Sequence, residues 1–297
     1  VDSLTHLLVG HAMGAVASSL NPSAGAAVYW AALIGNSLPD IDVPVSYVLR
    51  RNFGMHRTIT HTIPGVLALA AATALGVSWV YPGVPLALIF QWALLGNLAH
   101  LALDCLNLFG ARPFWPFLGQ SVDLGVLHIL DPMLLVILGL PTLAAALGVA
   151  SKTVLALSFF VIWPYVLYRL AVARRLFRRL KADGSLKARV IPWFTSWRYI
   201  FETATTIEFG YWRRGERTVL TTFHKADSPL IRASLEDPQV VSFLRSAEYP
   251  YALVQEDADG PLVVWGDVLR QLRADFRPLR VRVRDWIHGG ESIQISE

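Results

Sequence analysis

The chain has 297 residues, 54% of them hydrophobic and only 16% charged, where a soluble domain carries about a quarter charged. Residues 1–173 hold six acids and six bases, so the net charge of +4 belongs to the last 124 residues, with their 16 acids and 20 bases. This split excludes a wholly soluble globular protein, and the basic excess is too small and scattered for nucleic-acid binding. It predicts an integral membrane protein with a soluble tail. The single cysteine excludes an internal disulfide. The N-terminus has no basic region and no small-residue cleavage site, so no signal peptide is expected.

Six apolar runs follow in chain order. Leu4–Leu20 and Ala24–Leu38 are short and rich in Gly, Ala and Ser, a composition that suits helices packed against other helices rather than lipid. Ile63–Tyr81, Pro85–Leu108, Ile129–Ala150 and Thr153–Ala173 each approach the ~20 residues that cross a bilayer core as helix. The fold class predicted is a polytopic α-helical membrane bundle of about six helices, residues 1–173, with a C-terminal soluble α+β domain. Arg174, Arg175, Arg178, Arg179 and Lys181 crowd a basic juxtamembrane linker, 174–186, expected to form an amphipathic helix on anionic lipid. By the positive-inside rule this cluster faces the cytoplasm. Six spans then put both termini inside, together with the Pro39–Thr62 and Phe109–His128 loops.

Residues 187–297 contain no span. The stretch "SWRYIFETATTIEFGYWRRGERTVLTTF" alternates apolar and polar residues and predicts two or three antiparallel strands. "DPQVVSFLRSA" predicts a short helix, and "YPYALVQED", "GPLVVWGDV" and "FRPLRVRVRDW" further strands. A small cytoplasmic α+β domain on the membrane face, serving stability or assembly, is expected.

The polar residues of the bundle gather at one end. His6 starts the first helix, Asp40 and Asp42 close the second, His56 and His61 open the third, and His100 and Asp104 lie near the inner end of the fourth. Asp123, His128 and Asp131 precede the fifth, and no Glu occurs before Glu202. Ionisable residues at membrane depth are functional candidates by default, and convergence of His and Asp at one end of a bundle is how a bundle builds a metal site. His100 and Asp104 share a helix face at i, i+4. The alternative reading of that pair is a hydrogen bond between helices. "PDID" places two carboxylates in an irregular turn able to aim both at a cation, or simply a helix-ending turn with solvated acids. His56 and His61 suit a loop ligand followed by a helix-start ligand, or a polar interface loop. Together the set suits Zn²⁺, with Mn²⁺ or Fe²⁺ as alternatives. Seven candidate ligands exceed one four-coordinate ion, which predicts a two-metal centre. Arg57 could bind a phosphate oxygen or act only as a topology-setting charge, and Asp42 or Asp131 could serve as general base; His128 and Asp131, three apart at a helix start, could instead orient a ligand or simply cap the helix, and Asp123 is expected to cap a turn. His11 is expected to be an interhelical hydrogen-bond partner, Asn97 to orient a ligand, and Thr5, Thr58 and Thr60 to cap helices.

The stretches "DSLTHLLVGHAMG", "LIGNSLPDIDVP", "HRTITHTIPG", "LLGNLAHLALDCLNLFGARPFWPF" and "ILDP", in this order over about residues 2–135, resemble the bacterial and archaeal membrane-bound metal-dependent hydrolases, the YdjM-like family. "THT" stands where that family often has "THS". The resemblance implies a multi-helix hydrolase of the inner membrane with a divalent metal, zinc first, held by His6, Asp40, Asp42, His56, His61, His100 and Asp104. The function expected is hydrolysis of a lipid or lipid-linked ester, a phosphoester by preference, from the cytoplasmic face, with metal-bound hydroxide as nucleophile. The expected partners are the bilayer and a membrane lipid or lipid-linked substrate. A metal transporter would need ligands in the outer half of the membrane, where the sequence puts almost none. A scaffold with a structural metal would show a closed site without an open coordination position.

Overall fold

A computed structural model describes residues 2–42, 59–213, 215–225, 227–257, 260–272, 277–284 and 294–295. The chain forms two compact units, Val1–Arg174 with Pro192–Thr195, and Arg175–Ile191 with Ser196–Glu297.

The first unit holds the helices α1 (Ser3–Leu20), α2 (Gly25–Ser37), α3 (Ile63–Val80), α4 (Leu86–Cys105), α5 (Pro132–Ala146) and most of α6 (Lys152–Ala182). Of these, α3, α4 and α6 are long and apolar enough to cross a membrane, and α5 is a shorter apolar helix. The six expected spans thus separate into three helices of that kind and three others. Residues Ile129–Ala150 do not form one long span, because Asp131 caps α5 by accepting from the Met133 and Leu134 amides, followed by Pro132 at the first helical position. Gly148, at φ 72°, ends the segment. The basic residues from Arg174 to Lys181 continue α6 without a break.

Small residues explain why α1 and α2 differ from the other helices. Ala27, Val28, Ala31 and Ala32 on α2 are almost fully buried. A Cβ on Gly35 would come within 2.4 Å of the Ala93 carbonyl on α4, and one on Gly96 within 2.6 Å of the Ala32 carbonyl. The backbones of α2 and α4 therefore meet directly, as small-residue interfaces allow. Helix α1 begins at Asp2, whose carboxylate accepts from the Thr5 amide at 3.0 Å and the Thr5 hydroxyl at 2.5 Å. Helix α3 is capped by Thr62, which accepts from the Gly65 amide. These contacts fix the helix ends that carry the polar cluster.

In the second unit β1 (Lys187–Trp193), β2 (Ser196–Glu202), β3 (Thr206–Arg213) and β4 (Glu216–His224) form one sheet in sequence order. β2 and β3 pair antiparallel with Tyr199 opposite Gly210. The ring of Tyr199 is buried across that glycine, where a Cβ would lie 2.7 Å from its hydroxyl. A second sheet holds β5 (Pro250–Asp257), β6 (Gly260–Asp267), β7 (Leu279–Arg284) and β8 (Gln294–Ile295). The helices α7 (Pro229–Ser234) and α8 (Pro238–Ser246) precede it, and Ile231 and Val240 from them share a core with Ala252, Val263, Trp265 and Val281. The tail is thus strand-rich with short helices, but it contains two four-stranded sheets where the alternation pattern suggested one. The sequence pattern did not single out β1 and α7.

Candidate metal centre

Four helix ends bring the polar residues together. His6 lies in the first turn of α1, and Asp40 in a 3-10 turn, Leu38–Ile41, that extends α2. His61 stands two residues before α3, and His100 and Asp104 on the last turns of α4. His6, His61, His100 and Asp104 are buried.

The neighbours of each imidazole set which ring nitrogen carries the hydrogen. The Asn36 carbonyl lies 2.7 Å from His100 Nδ1. A carbonyl only accepts, so Nδ1 donates and Nε2 of the neutral ring presents its lone pair. Asn36 is held for this by donating through Nδ2 to the Gly96 carbonyl at 3.0 Å. On His61, Nδ1 is 2.9 Å from the Thr60 hydroxyl, which donates to Asp42 Oδ2 at 2.9 Å. With its hydrogen directed to the carboxylate, that hydroxyl accepts from His61 Nδ1–H. In the neutral ring Nε2 of His61 then also presents a lone pair.

The two lone pairs meet. His61 Nε2 and His100 Nε2 are 3.0 Å apart. Asp40 Oδ1 lies 3.7 Å from His61 Nε2 and 3.5 Å from His100 Nε2. Asp104 Oδ2 lies 3.2 Å and 3.8 Å from the same two atoms. Zinc–ligand bonds of about 2.0–2.2 Å in a tetrahedron put neighbouring donors roughly 3.3–3.6 Å apart. The five distances, 3.0 to 3.8 Å, straddle that edge length. Two neutral imidazole lone pairs and two carboxylate oxygens at these separations repel one another unless a positive charge, a metal ion or a proton on an imidazole, stands among them. The donor set thus fits a divalent ion of the zinc class.

Asp104 faces two ways. Its Oδ2 joins that set, while Oδ1 lies 3.3 Å from His6 Nε2. The His6 ring stacks on His100 with centroids 3.6 Å apart. Two overlapping groups of ligand atoms result, His6–His100–Asp104 and Asp40–His61–His100.

The other expected residues fall elsewhere. Asp42 sits 3.8 Å from His61 Nδ1, on the side of the ring away from Nε2, and is in neither of the two groups. Asp131 is in neither of these groups: it caps α5, accepts from the Tyr165 hydroxyl at 2.8 Å and lies 3.8 Å from Arg169 Nη1. His56, Arg57 and Thr58 lie outside the described residues. Asn97 donates to the Ala93 carbonyl of its own helix and not to a ligand. His11 meets Tyr29 of α2 through its Nδ1, the interhelical bond expected of it. Three contributors were missed: Asn36 behind His100, Thr60 behind His61, and Ser3, which donates to Asp40 Oδ2 at 2.7 Å. The only trace of Asn36 in the sequence is its place four residues before Asp40.

A helical membrane protein with a buried His/Asp cluster at its helix ends is the class that fold and site define. The family model of the YdjM inner membrane protein matches residues 1–176, and the chain belongs to that family. It is also similar to YfhP of Bacillus subtilis (strain 168), which is described as uncharacterized, with 29% identity over 263 residues, 82% of this chain and 79% of the relative. No solved structure matches the chain.

Proposed function

We propose that this protein is a metal-dependent hydrolase of the inner membrane, acting at the cytoplasmic face on a lipid or lipid-linked ester, by preference a phosphoester. The reading includes six membrane-embedded helices with both termini inside. The observation that carries it is the close approach of Asp40 Oδ1 and of Asp104 Oδ2 to both His61 Nε2 and His100 Nε2, themselves 3.0 Å apart. These four would hold one zinc-class ion, and His6 with Asp104 Oδ1 would hold a second, which keeps positions open for substrate and water. Bound there, a pair of divalent ions supplies Lewis acidity to an ester oxygen and acidifies water at neutral pH.

The chain's own residues do the rest. Asn36 and Thr60 lock the imidazoles with Nε2 inward, as outer-shell partners do in metal sites. Asp42 fixes Thr60 and balances the hydrogen on His61 Nδ1. Asp40, partly exposed where its neighbours are buried, is the carboxylate that solvent reaches and the one placed to pass a proton outward. Arg57 is assigned to a phosphate oxygen of the substrate. The loop leaving α4 supports a membrane-resident substrate, because Phe114, Trp115, Phe117 and Leu118 are exposed there, Phe117 at 83%. Aromatic side chains of this kind belong at the membrane–water interface.

The test is elemental analysis of detergent-purified full-length protein beside Asp104→Ala, followed by a screen of phosphoester lipids. Two equivalents of zinc or manganese, lost in the variant, together with metal-dependent hydrolysis, are expected. Absence of bound metal after purification without chelators would overturn the reading and leave a proton shared between His61 and His100 as the occupant.

A further inference from the structure

A second site lies toward the other end of the same unit. A cavity of about 1190 Å³ opens between α1, α2 and the α5–α6 connection, lined by His11, Ser18, Tyr29, Lys152 and Leu155 among others. Ser18 is twelve residues beyond His6, roughly 18 Å along a helix axis. The cavity is therefore distinct from the metal cluster, and nothing in the proposed reaction uses it.

Its walls are mainly apolar, with Ala15, Ala27, Val84 and Leu155 among them. Two of its three serines are engaged within the helix pair: Ser18 donates to the Gly25 carbonyl at 2.7 Å, and Ser19 to the Ala15 carbonyl at 2.8 Å, while Ser23 adds a hydroxyl to the lining. Beside the Ser23 and Tyr81 hydroxyls, two polar features stand out. The first is the His11–Tyr29 pair. Gly14 makes room for it, since a Cβ there would lie 2.6 Å from the Tyr29 ring. The phenol, the more acidic partner, donates to His11 Nδ1, so Nε2 of the neutral ring is an N–H donor. The second is Lys152, the first residue of α6. A cation at a helix N-terminus opposes the helix dipole, and helix stability therefore does not account for this lysine. Under the proposed topology Lys152 also lies on the outer side, against the positive-inside bias. No carboxylate lines the cavity among the described residues.

A mainly apolar chamber whose one charged group is a cation and whose lining includes no carboxylate among the described residues selects a ligand with an alkyl body and an anionic, acceptor-rich head. We infer that this cavity binds one anionic phospholipid, with its phosphate at Lys152 and its acyl region along the alanine-rich wall, one ester oxygen accepting from His11. The inference is independent of the metal reading.

The test uses the full-length protein in detergent, equilibrated with equimolar phosphatidylglycerol and phosphatidylcholine and analysed by native mass spectrometry, with metal content measured in parallel. The expected result is one retained phosphatidylglycerol per chain, preferred at least fivefold over phosphatidylcholine. That preference is lost in Lys152→Glu, and all lipid retention falls in the cavity-filling variant Ala146→Trp, both with metal content as in the parent. Lys152→Gln serves where the charge reversal is not monodisperse. Equal retention of the two lipids, or a preference that survives replacement of Lys152, would overturn the inference. Neither result bears on the metal centre, which the parallel metal assay reads separately.

Discussion

His61 Nε2 and His100 Nε2 stand 3.0 Å apart, although each ring has its hydrogen drawn to the opposite nitrogen, by Thr60 on one side and the Asn36 carbonyl on the other. The sequence separates the two by 39 residues, and α3 and α4 bring them together. A single hydrogen bond accounts for one of the five short distances around them. A positive charge at the cluster, whether a metal ion or a proton on His61, draws in the two carboxylates as well.

The first prediction follows from Asp104, whose Oδ1 faces His6 and whose Oδ2 lies 3.2 Å from His61. Asp104→Ala should lower bound zinc or manganese at least tenfold, and His61→Ala should do the same to the ion it shares with Asp40. Both variants should still insert into the membrane and elute as the parent does, because the small-residue interfaces of α1, α2 and α4 are untouched. Unchanged metal stoichiometry in both would show that the cluster is not a metal site.

A finer prediction separates holding a metal from orienting its ligands. Asp42 and Thr60 touch the far side of His61. Loss of an outer partner typically costs 10–100-fold in metal affinity. Thr60→Val and Asp42→Asn should therefore bind the same number of ions at saturating metal but release them to a competing chelator at 10–100-fold lower concentration. A stoichiometric loss in Asp42→Asn would make Asp42 a direct ligand.

The cluster was legible in the sequence because burial is so restrictive in this part of the chain. Among the few charged residues of an apolar block, His6, Asp40, His61, His100 and Asp104 had little reason to exist apart from a shared role. Asp131 shows the limit of that logic. It too is acidic and buried, yet its proximity to the other residues in the predicted helix order did not carry over into contact. The N-terminus of α5 took it as a cap, with Tyr165 and Arg169 beside it. Asn36 and Thr60 were not legible as site residues, because a backbone carbonyl and a hydroxyl acquire meaning only when a ring nitrogen lies against them. The subdivision of the tail into two sheets was hidden for a related reason: alternation marks strands but not which strands pair. The small-residue character of α1 and α2, by contrast, predicted close helix packing, and the α2–α4 contact at Gly35 and Gly96 has that form.

That contact carries a stability prediction. Gly96→Ala puts a Cβ within 2.6 Å of the Ala32 carbonyl, and Gly35→Ala one within 2.4 Å of the Ala93 carbonyl. The helices must separate, at a cost of about 1–3 kcal/mol for overpacking, and the separation moves His100 relative to Asp40. Thermal unfolding in detergent should shift downward in either variant, and metal affinity should fall with it. Gly76, whose added Cβ would meet nothing within 4 Å, is the control: Gly76→Ala should match or exceed the parent in stability, since alanine favours helix by about 1 kcal/mol.

Asp131 gives the last prediction. Its carboxylate caps α5, accepts from Tyr165 and stands 3.8 Å from Arg169 Nη1, with both charged side chains buried. Arg169 also donates to the Phe194 carbonyl at 2.8 Å. Removing one member of a buried pair leaves the other charge without compensation, typically about 3–5 kcal/mol. Arg169→Met and Asp131→Asn should therefore both destabilise the protein strongly, the latter although asparagine retains an oxygen for the cap. Neither variant should change the number of ions bound, because no ligand atom is involved. Hydrolytic turnover in Asp131→Asn decides the residue's part in the reaction. Activity that follows the folded fraction assigns Asp131 to structure alone, and a loss beyond that fraction, at full metal content, restores it as the general base.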